Sequence, residues 1–473
     1  MSAEPTSAPV PPRRLPATHG WRHLDAERKR EIIAAIVSGQ PTVGPSHVEL
    51  NITDRCNIAC YFCSQQDIRT SEQICYDRLV QILDELVPRG LKSVRMSGGG
   101  EPLFHPDIVR ILEYLGSRKV VVDNLTTNGV GLIPSVAELL VRNHGRYVMI
   151  SLNAVDPADY KRMMAVKGDR FDRVIENVRH LVAIRGDAPY PMIAVQFLLD
   201  RQNYTRLPEM YRLGRSLGVD RVAVGFVEPI VNQTFDWSLL LGDADVALIR
   251  PYLTEVVEAD RDAQLLDTFF TGAAVNTLVY ELRSRFSAPV PDPTAPSFKE
   301  ENGACFFAWY STVLRGNGDL HPCCLLQTPG VKTAGNAKNG TFADQWNGPA
   351  YNKLREEMRE VFLMRGQVEY SRRRFEYLEP ICVQANQCWL KNTYFRADEE
   401  FYRELDAALE PVRKREVRWI GTPKQMSRRL AVFLYRHAQA RRIYDRLRNG
   451  SRPLRHWIRD RMRKTRFAFG TNQ

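Results

Sequence analysis

Three cysteines stand close together in the segment TDRCNIACYFC: Cys56, Cys60 and Cys63, at the spacing C-x3-C-x2-C. Three thiolates on one short loop can cap three corners of an iron–sulfur cube and leave the fourth iron open, because no fourth cysteine lies nearby in sequence. A zinc ion completed by a histidine or a distant cysteine is the alternative that the same ligands allow. The loop follows a β-branched and apolar run, His47 to Thr53, that reads as a strand. In parallel α/β folds chemistry gathers at the C-terminal ends of the strands, which is where this loop lies.

A second constellation comes later: Cys305, Gly318 and Cys323 as C-x12-G-x4-C, then Cys382 and Cys388 as C-x5-C. The turn cluster Arg315-Gly316-Asn317-Gly318-Asp319 predicts a hairpin. Two ligands from that hairpin region and two from a later loop would close four positions around a second cluster, and a fully ligated cluster suits electron transfer. A four-cysteine zinc knuckle satisfies the same pattern. Cys324 is a spare thiol beside a ligand: a small buried hydrophobe, an exchange ligand for Cys323, or a hydrogen-atom donor. Cys75 opens a predicted helix and is expected only to pack, while His105 and His321 are expected to be loop hydrogen-bonders.

These cysteines need a frame. The chain has 473 residues, 44% hydrophobic and 26% charged, a globular balance with room for two or three domains that excludes disorder throughout. No stretch reaches the roughly 18 uncharged apolar residues of a membrane span, and MSAEPTSAPVPPRRLP lacks a secretory apolar segment. The expected location is therefore cytoplasmic. Nine cysteines are too few for a disulfide scaffold at this length and point to metal ligands, reactive thiols or packing.

Six runs read as strands: His47 to Thr53, Lys92 to Met96, Val120 to Thr126, Tyr147 to Leu152, Met192 to Leu198 and Arg221 to Phe226. Helical patterns separate them, with Leu79, Ile82, Leu83 and Leu86 on one face of the first and Ile108, Ile111, Leu112 and Leu115 on the next. A further short helix is expected around Ala26 to Ser38, and residues 243 to 286 look helical. Successive βα units predict an α/β fold with a parallel sheet, either open and doubly wound or a partial barrel. The expected order is a disordered leader (1–19), an N-terminal helix (20–45), the sheet domain (46–235), a helical connector with a Pro-rich linker (236–297), a small cysteine-bearing domain (298–400) and a basic helical extension (401–473).

The net charge of +11 is local. Residues 411–473 hold 19 Lys and Arg against three acidic residues, a net of +16, which leaves −5 for the rest. Basic amphipathic patterns at 427–448 and 453–467 fit an anionic membrane surface, giving a peripheral location, or a helical pair docked on the body. Sparse aromatic interleaving argues against nucleic acid.

The first cysteine loop resembles that of the radical S-adenosylmethionine (SAM) enzymes, whose signature is C-x3-C-x-aromatic-C, with Phe62 as the aromatic. The resemblance continues through Gly99, Gly100, Glu101 and Pro102, similar to the family's GGEP motif, through Thr127-Asn128-Gly129, similar to its TNG element, and through Ser151 and Asn153, where relatives usually carry an acid in place of Asn153. It implies a partial (βα)6 TIM-type barrel and a [4Fe-4S] cluster on Cys56, Cys60 and Cys63 whose open iron binds SAM. It also implies reductive cleavage to a 5'-deoxyadenosyl radical, and an electron donor such as flavodoxin or ferredoxin. Phe62, Gly99, Gly100, Glu101, Pro102, Asn128, Ser151, Asn153 and Gln196 are the expected cofactor-binding residues. The glycines would let backbone approach the ligand, and the motif would receive its ammonium group.

The second set resembles the SPASM/twitch extensions of that family, supported by Trp346 and the Leu354-Arg355 pair in the text between. Five cysteines in 298–400 favour one auxiliary [4Fe-4S] cluster on Cys305, Cys323, Cys382 and Cys388. The first expectation for the net reaction is oxidation of a sugar or aminocyclitol. Maturation of a ribosomally made peptide is the alternative, lowered because only about 45 residues precede the first strand, where peptide-binding relatives carry a further domain. Epimerisation using Cys324 and a zinc-stabilised membrane-surface adaptor without turnover complete the set.

Overall fold

The computed structural model describes residues 24–41, 44–166, 170–228, 235–270, 273–286, 305–327, 331–338, 340–363, 375–378, 382 and 398–416. The expected leader, the Pro-rich linker at 287–297, Cys388 and the two basic helices of the tail lie outside the described residues. The chain divides into two compact units, Met1–Ala407 and Ala408–Gln473.

Within the first unit, β1 (His47–Asn51), β2 (Ser93–Met96), β3 (Val121–Thr127), β4 (Tyr147–Ser151), β5 (Met192–Leu199) and β6 (Arg221–Phe226) pair in sequence order, all parallel. The helices between them are α2 (Tyr76–Leu86), α3 (Ile108–Ser117), α4 (Pro134–Arg142), α5 (Pro157–Met164), α6 (Phe171–Arg185) and α7 (Leu207–Ser216). They follow α1 (Ala26–Ser38), which Asp25 caps by accepting from the Arg28 amide at 2.7 Å. The apolar stripes of α2 and α3 are buried as their spacing requires.

Residues 243 to 286 are mostly helical, as expected, but hold a strand as well. They form α8 (Val246–Ala259) and α9 (Ala273–Phe286) with β7 (Leu266–Thr268) between, parallel to β6. Three residues are too few to show strand alternation. The predicted hairpin is β8 (Ser311–Arg315) and β9 (Asp319–His321), preceded by α10 (Phe307–Tyr310). It is no detached module: β8 runs parallel beside β1, so the sheet reads β10-β9-β8-β1-β2-β3-β4-β5-β6-β7, with β10 at Gly335–Asn336. The result is a partial barrel. α11 (Phe342–Trp346), α12 (Pro349–Leu363) and α13 (Glu399–Glu416) complete the described elements. In the second unit Arg413 pairs with Glu410 at 3.4 Å on the end of α13. Among the described residues no helix is long and apolar enough to cross a membrane.

Neighbouring residues of a strand point to opposite faces. Val195 and Val222 lie against Gly214 of α7, and Ile150 lies beside Val174 of α6 at Gly129, so these apolar residues mark the helix-covered face. Glu49, Arg95, Ser151 and Gln196 occupy the other, concave face. Glu49 and Arg95 pair there at 3.6 Å, adjacent in register. Tyr147, Met192 and Ala194 pack together on the same face, with Met149 against them.

His47, 1% exposed, stacks on Tyr310 and places Nδ1 2.9 Å from Ser93 Oγ. Burial, with Arg95 adding to it, pulls its pKa from 6.5 down to about 3. The unfolded chain therefore takes up a proton below pH 6.5 that the folded chain refuses, so stability is whole above pH 6.5 and is lost as pH falls toward 3. Between pH 6 and 5 the unfolding free energy of His47→Gln should fall less steeply than that of wild type, by up to about 1.4 kcal/mol per pH unit. Parallel slopes in urea titrations would contradict this.

Candidate active site

The cysteine loop leaves β1 at Ile52 and returns before α2. Its base is closed by the bridge between Thr53 and Gln73 and by the Asp54 amide, which donates to the Glu72 carbonyl at 2.9 Å. Inside, the Cys63 amide donates to the Cys60 carbonyl at 3.1 Å, a turn that brings two of the cysteines together. α5 and the segment after it hold the loop from below: the Ala59 amide donates to the Met164 carbonyl at 3.2 Å and Arg170 to the Asn57 carbonyl at 2.6 Å. Phe62 is buried edge-on to Tyr61, whose hydroxyl meets Asp200. The signature aromatic thus anchors the loop in the core.

Cys56, Cys60 and Cys63 are all half-buried and unpaired with one another as disulfides. Burial pushes the Cys60 thiol far above its ordinary range, and the neighbouring Cys63 and Cys56 push it further. Burial and mutual repulsion oppose three thiolates here, and a bound metal centre overcomes both by deprotonating its thiol ligands outright. The donor set, three soft sulfurs on one loop, fits an iron–sulfur cluster bound through Cys56, Cys60 and Cys63.

The turn after β2 meets this loop at its glycines. A Cβ on Gly100 would stand 1.9 Å from the Arg55 carbonyl oxygen, and one on Gly99 would stand 2.5 Å from Asp54 Oδ1. Gly99 also has φ +62, in the left-handed region that glycine favours. These glycines let the turn close onto the cysteine loop. The Gly100 and Glu101 amides donate to the Thr53 and Arg55 carbonyls at 2.8 and 2.9 Å. Pro102 is buried and starts the short turn that follows.

Glu101 is buried as well. Its Oε1 accepts from the Thr127 hydroxyl at 2.6 Å and the Leu103 amide at 3.1 Å, and its Oε2 from the Asn128 amide at 2.7 Å. Burial raises its pKa, and these bonds offset part of the rise. The carboxylate therefore ties the loop after β2 to the loop after β3. Asn128 extends the tie: its Nδ2 donates to Asn57 Oδ1 at 2.7 Å, back in the cysteine loop. Three successive strand ends are thereby locked together.

Ser151 and Gln196 are register partners, and the serine hydroxyl donates to Gln196 Oε1 at 3.1 Å on the concave face. Asn153 stands two residues past β4. It sits at φ +55, 1% exposed, and its Oδ1 accepts from the Leu198 amide at 2.9 Å. An amide at this position stitches β4 to β5.

The auxiliary region docks on the same loop. Arg315, at the end of β8, places Nη2 3.0 Å from both carboxylate oxygens of Asp54, with side-chain exposures of 6% and 0%. Thr70 completes the Asp54 shell through its hydroxyl at 2.7 Å and its amide at 3.1 Å. Asn51 donates to Gln327 at 3.1 Å. Gly318, at φ +86, makes the hairpin turn, and a Cβ there would meet Lys338 at 2.7 Å. Arg355 is buried over the Trp346 ring and donates to the Ala308 and Trp346 carbonyls at 2.9 and 2.8 Å, which explains that pair of residues. Burial holds its pKa down to about 10. Cys305, Cys323, Cys324 and Cys382 are half-buried; Cys305 precedes α10 and Cys323 follows β9. Cys75 is exposed at the head of α2, where packing was expected. His105, in the turn before α3, and His321, the last residue of β9 and so not in a loop as expected, bond the Ile74 and Leu326 carbonyls at 2.8 and 2.9 Å. Asp54, Asn57, Arg69 and Arg315 escape the motif reading; Asp54 stands two residues before Cys56, and only its burial opposite Arg315 reveals its part.

Comparison with known proteins finds two matched domains in this chain. The model of the radical SAM superfamily matches residues 50–214, and that of the SPASM iron–sulfur cluster-binding domain matches residues 305–382. PqqA peptide cyclase of Gluconobacter oxydans is 28% identical over 316 residues, 66% of this chain and 79% of that protein. The tungsten-containing aldehyde ferredoxin oxidoreductase cofactor-modifying protein of Pyrococcus furiosus is 27% identical over 326 residues, 65% of this chain and 83% of its own length. The crystal structure of Streptococcus suis SuiB superposes with a TM-score of 0.53 at 19% identity, over 75% of this chain and 81% of that one, which shows a shared fold.

Proposed function

We propose, from the premise that the chain is a radical SAM enzyme with a C-terminal SPASM iron–sulfur domain, that its substrate is a peptide and that it forms a new bond within that peptide. The match to PqqA peptide cyclase carries this reading, because it runs over 66% of the chain and exceeds the length of either matched domain. We prefer it to the sugar or aminocyclitol oxidation first expected from an electron-accepting auxiliary cluster. The adaptor without turnover gives way to the family matches.

Cys56, Cys60 and Cys63 would hold the SAM-binding cluster, and Cys305, Cys323, Cys382 and Cys388 the auxiliary one. When bound, SAM and the first cluster supply a 5'-deoxyadenosyl radical that removes a substrate hydrogen atom, and an auxiliary cluster supplies an acceptor for the electron left behind. The protein's own part is position. Glu101 and Asn128 fix the strand-end loops against the cysteine loop. Ser151 and Gln196, on the concave face beside them, offer hydroxyl and amide groups to a ribose or a peptide. Phe62, buried edge-on to Tyr61, anchors the loop.

The test supplies the reconstituted full chain with SAM, dithionite and either a pool of synthetic linear peptides or a panel of hexoses and aminocyclitols. The peptide pool should stimulate 5'-deoxyadenosine release and yield a product lighter by one hydrogen pair. Stimulation by the sugar panel alone would refute the peptide reading.

A further inference from the structure

Arg69 reaches both halves of the cofactor site. Its Nη2 stands 2.9 Å from Cys63 Sγ, and its Nε donates to the Gly99 carbonyl at 2.9 Å. Cys63 belongs to the cysteine loop and Gly99 to the turn after β2, so one guanidinium spans the two segments. Its fork geometry makes this possible, because Nε and Nη2 are separate donors held rigidly in one plane.

We propose that Arg69 is a positioning residue that donates a charged hydrogen bond to the sulfur of cluster-bound Cys63 and makes that cluster easier to reduce; the proposal rests on the radical SAM reading of this loop. Three thiolate ligands make the site anionic, and a one-electron reduction adds a further negative charge. A permanent positive charge on a ligand sulfur favours the more negative state. Hydrogen bonds to sulfur and local net charge are among the levers that set iron–sulfur potentials. A charged donor is about twice as strong as a neutral one. The bond to Gly99 holds the guanidinium in place, so the donor is preorganised rather than recruited on reduction.

The experiment follows the cluster's midpoint potential in the anaerobically reconstituted full chain without SAM, by an EPR-monitored titration. The signal belonging to Cys56, Cys60 and Cys63 is the one whose g-values move when SAM is then added. Arg69→Gln should lower the ratio of reduced to oxidised cluster at the wild-type midpoint about tenfold, equal to about 59 mV for a one-electron couple. Arg69→Lys keeps a charge but cannot serve both acceptors, so its ratio should fall about threefold. Iron content should match wild type in both. A wild-type potential in Arg69→Gln overturns the proposal. If that variant fails to hold iron, a wild-type potential in Arg69→Lys overturns it. Failure of the family reading looks different: the wild-type chain would then show no signal that responds to SAM.

Discussion

Alanine at Cys56, Cys60 and Cys63 leaves the chain folded and reduces 5'-deoxyadenosine release to the uncatalysed background. The first part follows from how the loop is held. Its anchors are the Asp54 amide on Glu72, the Ala59 amide on Met164, Arg170 on the Asn57 carbonyl and the buried Phe62 ring, none of which uses a cysteine sulfur. Half-buried thiols replaced by methyl groups cost little packing, so the urea midpoint should stay close to wild type. The second part follows from the chemistry, because without these sulfurs no cluster can deliver an electron to SAM. SAM cleavage at the wild-type rate would show that the loop is not the cofactor site. A large loss of stability alongside the lost activity would show that the cysteines hold the fold.

The second large effect is on stability. Arg315→Met should destabilise the chain by about 3–5 kcal/mol, because it leaves the Asp54 carboxylate buried with its charge unmatched. Asp54 keeps its bonds to Thr70, but these are two neutral donors for an ion that is fully enclosed. Asp54→Asn combined with Arg315→Met should cost less than the two single changes added together, since neither half then strands the other. Additive losses in urea unfolding would mean that the pair is not coupled. The same contact joins the hairpin of the SPASM region to a residue two positions before Cys56, so Arg315→Met should also weaken iron retention at the first site.

Much of this was legible in the residues because the sheet has two unlike faces. The six strands expected from β-branched and apolar runs match β1 to β6 to within two residues at each end, and α1 is found at the expected residues. Valine and isoleucine mark the helix-covered face, while the concave face carries the polar Glu49, Arg95, Ser151 and Gln196 together with the apolar Tyr147, Met149, Met192 and Ala194. What stayed hidden depends on partners distant in sequence. Nothing local in Ser311–Arg315 says that β8 will run beside β1, and nothing in three residues at Leu266–Thr268 announces a strand. Spacing alone does not reveal what the motif residues touch within the protein. Gly99 and Gly100 admit the cysteine loop, Glu101 serves the Thr127–Asn128 loop, and Asn153 turns to β5. Spacing identifies a motif residue, while its hydrogen-bond partners are set by the neighbouring strand ends.

The central claim is that this chain carries one SAM-cleaving cluster and one auxiliary cluster. It is tested most directly by measuring iron, sulfide and zinc per chain after anaerobic reconstitution, together with dithionite-driven release of 5'-deoxyadenosine from SAM. About eight irons with matching sulfide, as two [4Fe-4S] clusters require, and measurable cleavage are the predicted result. Zinc in place of iron, with no cleavage, would contradict it.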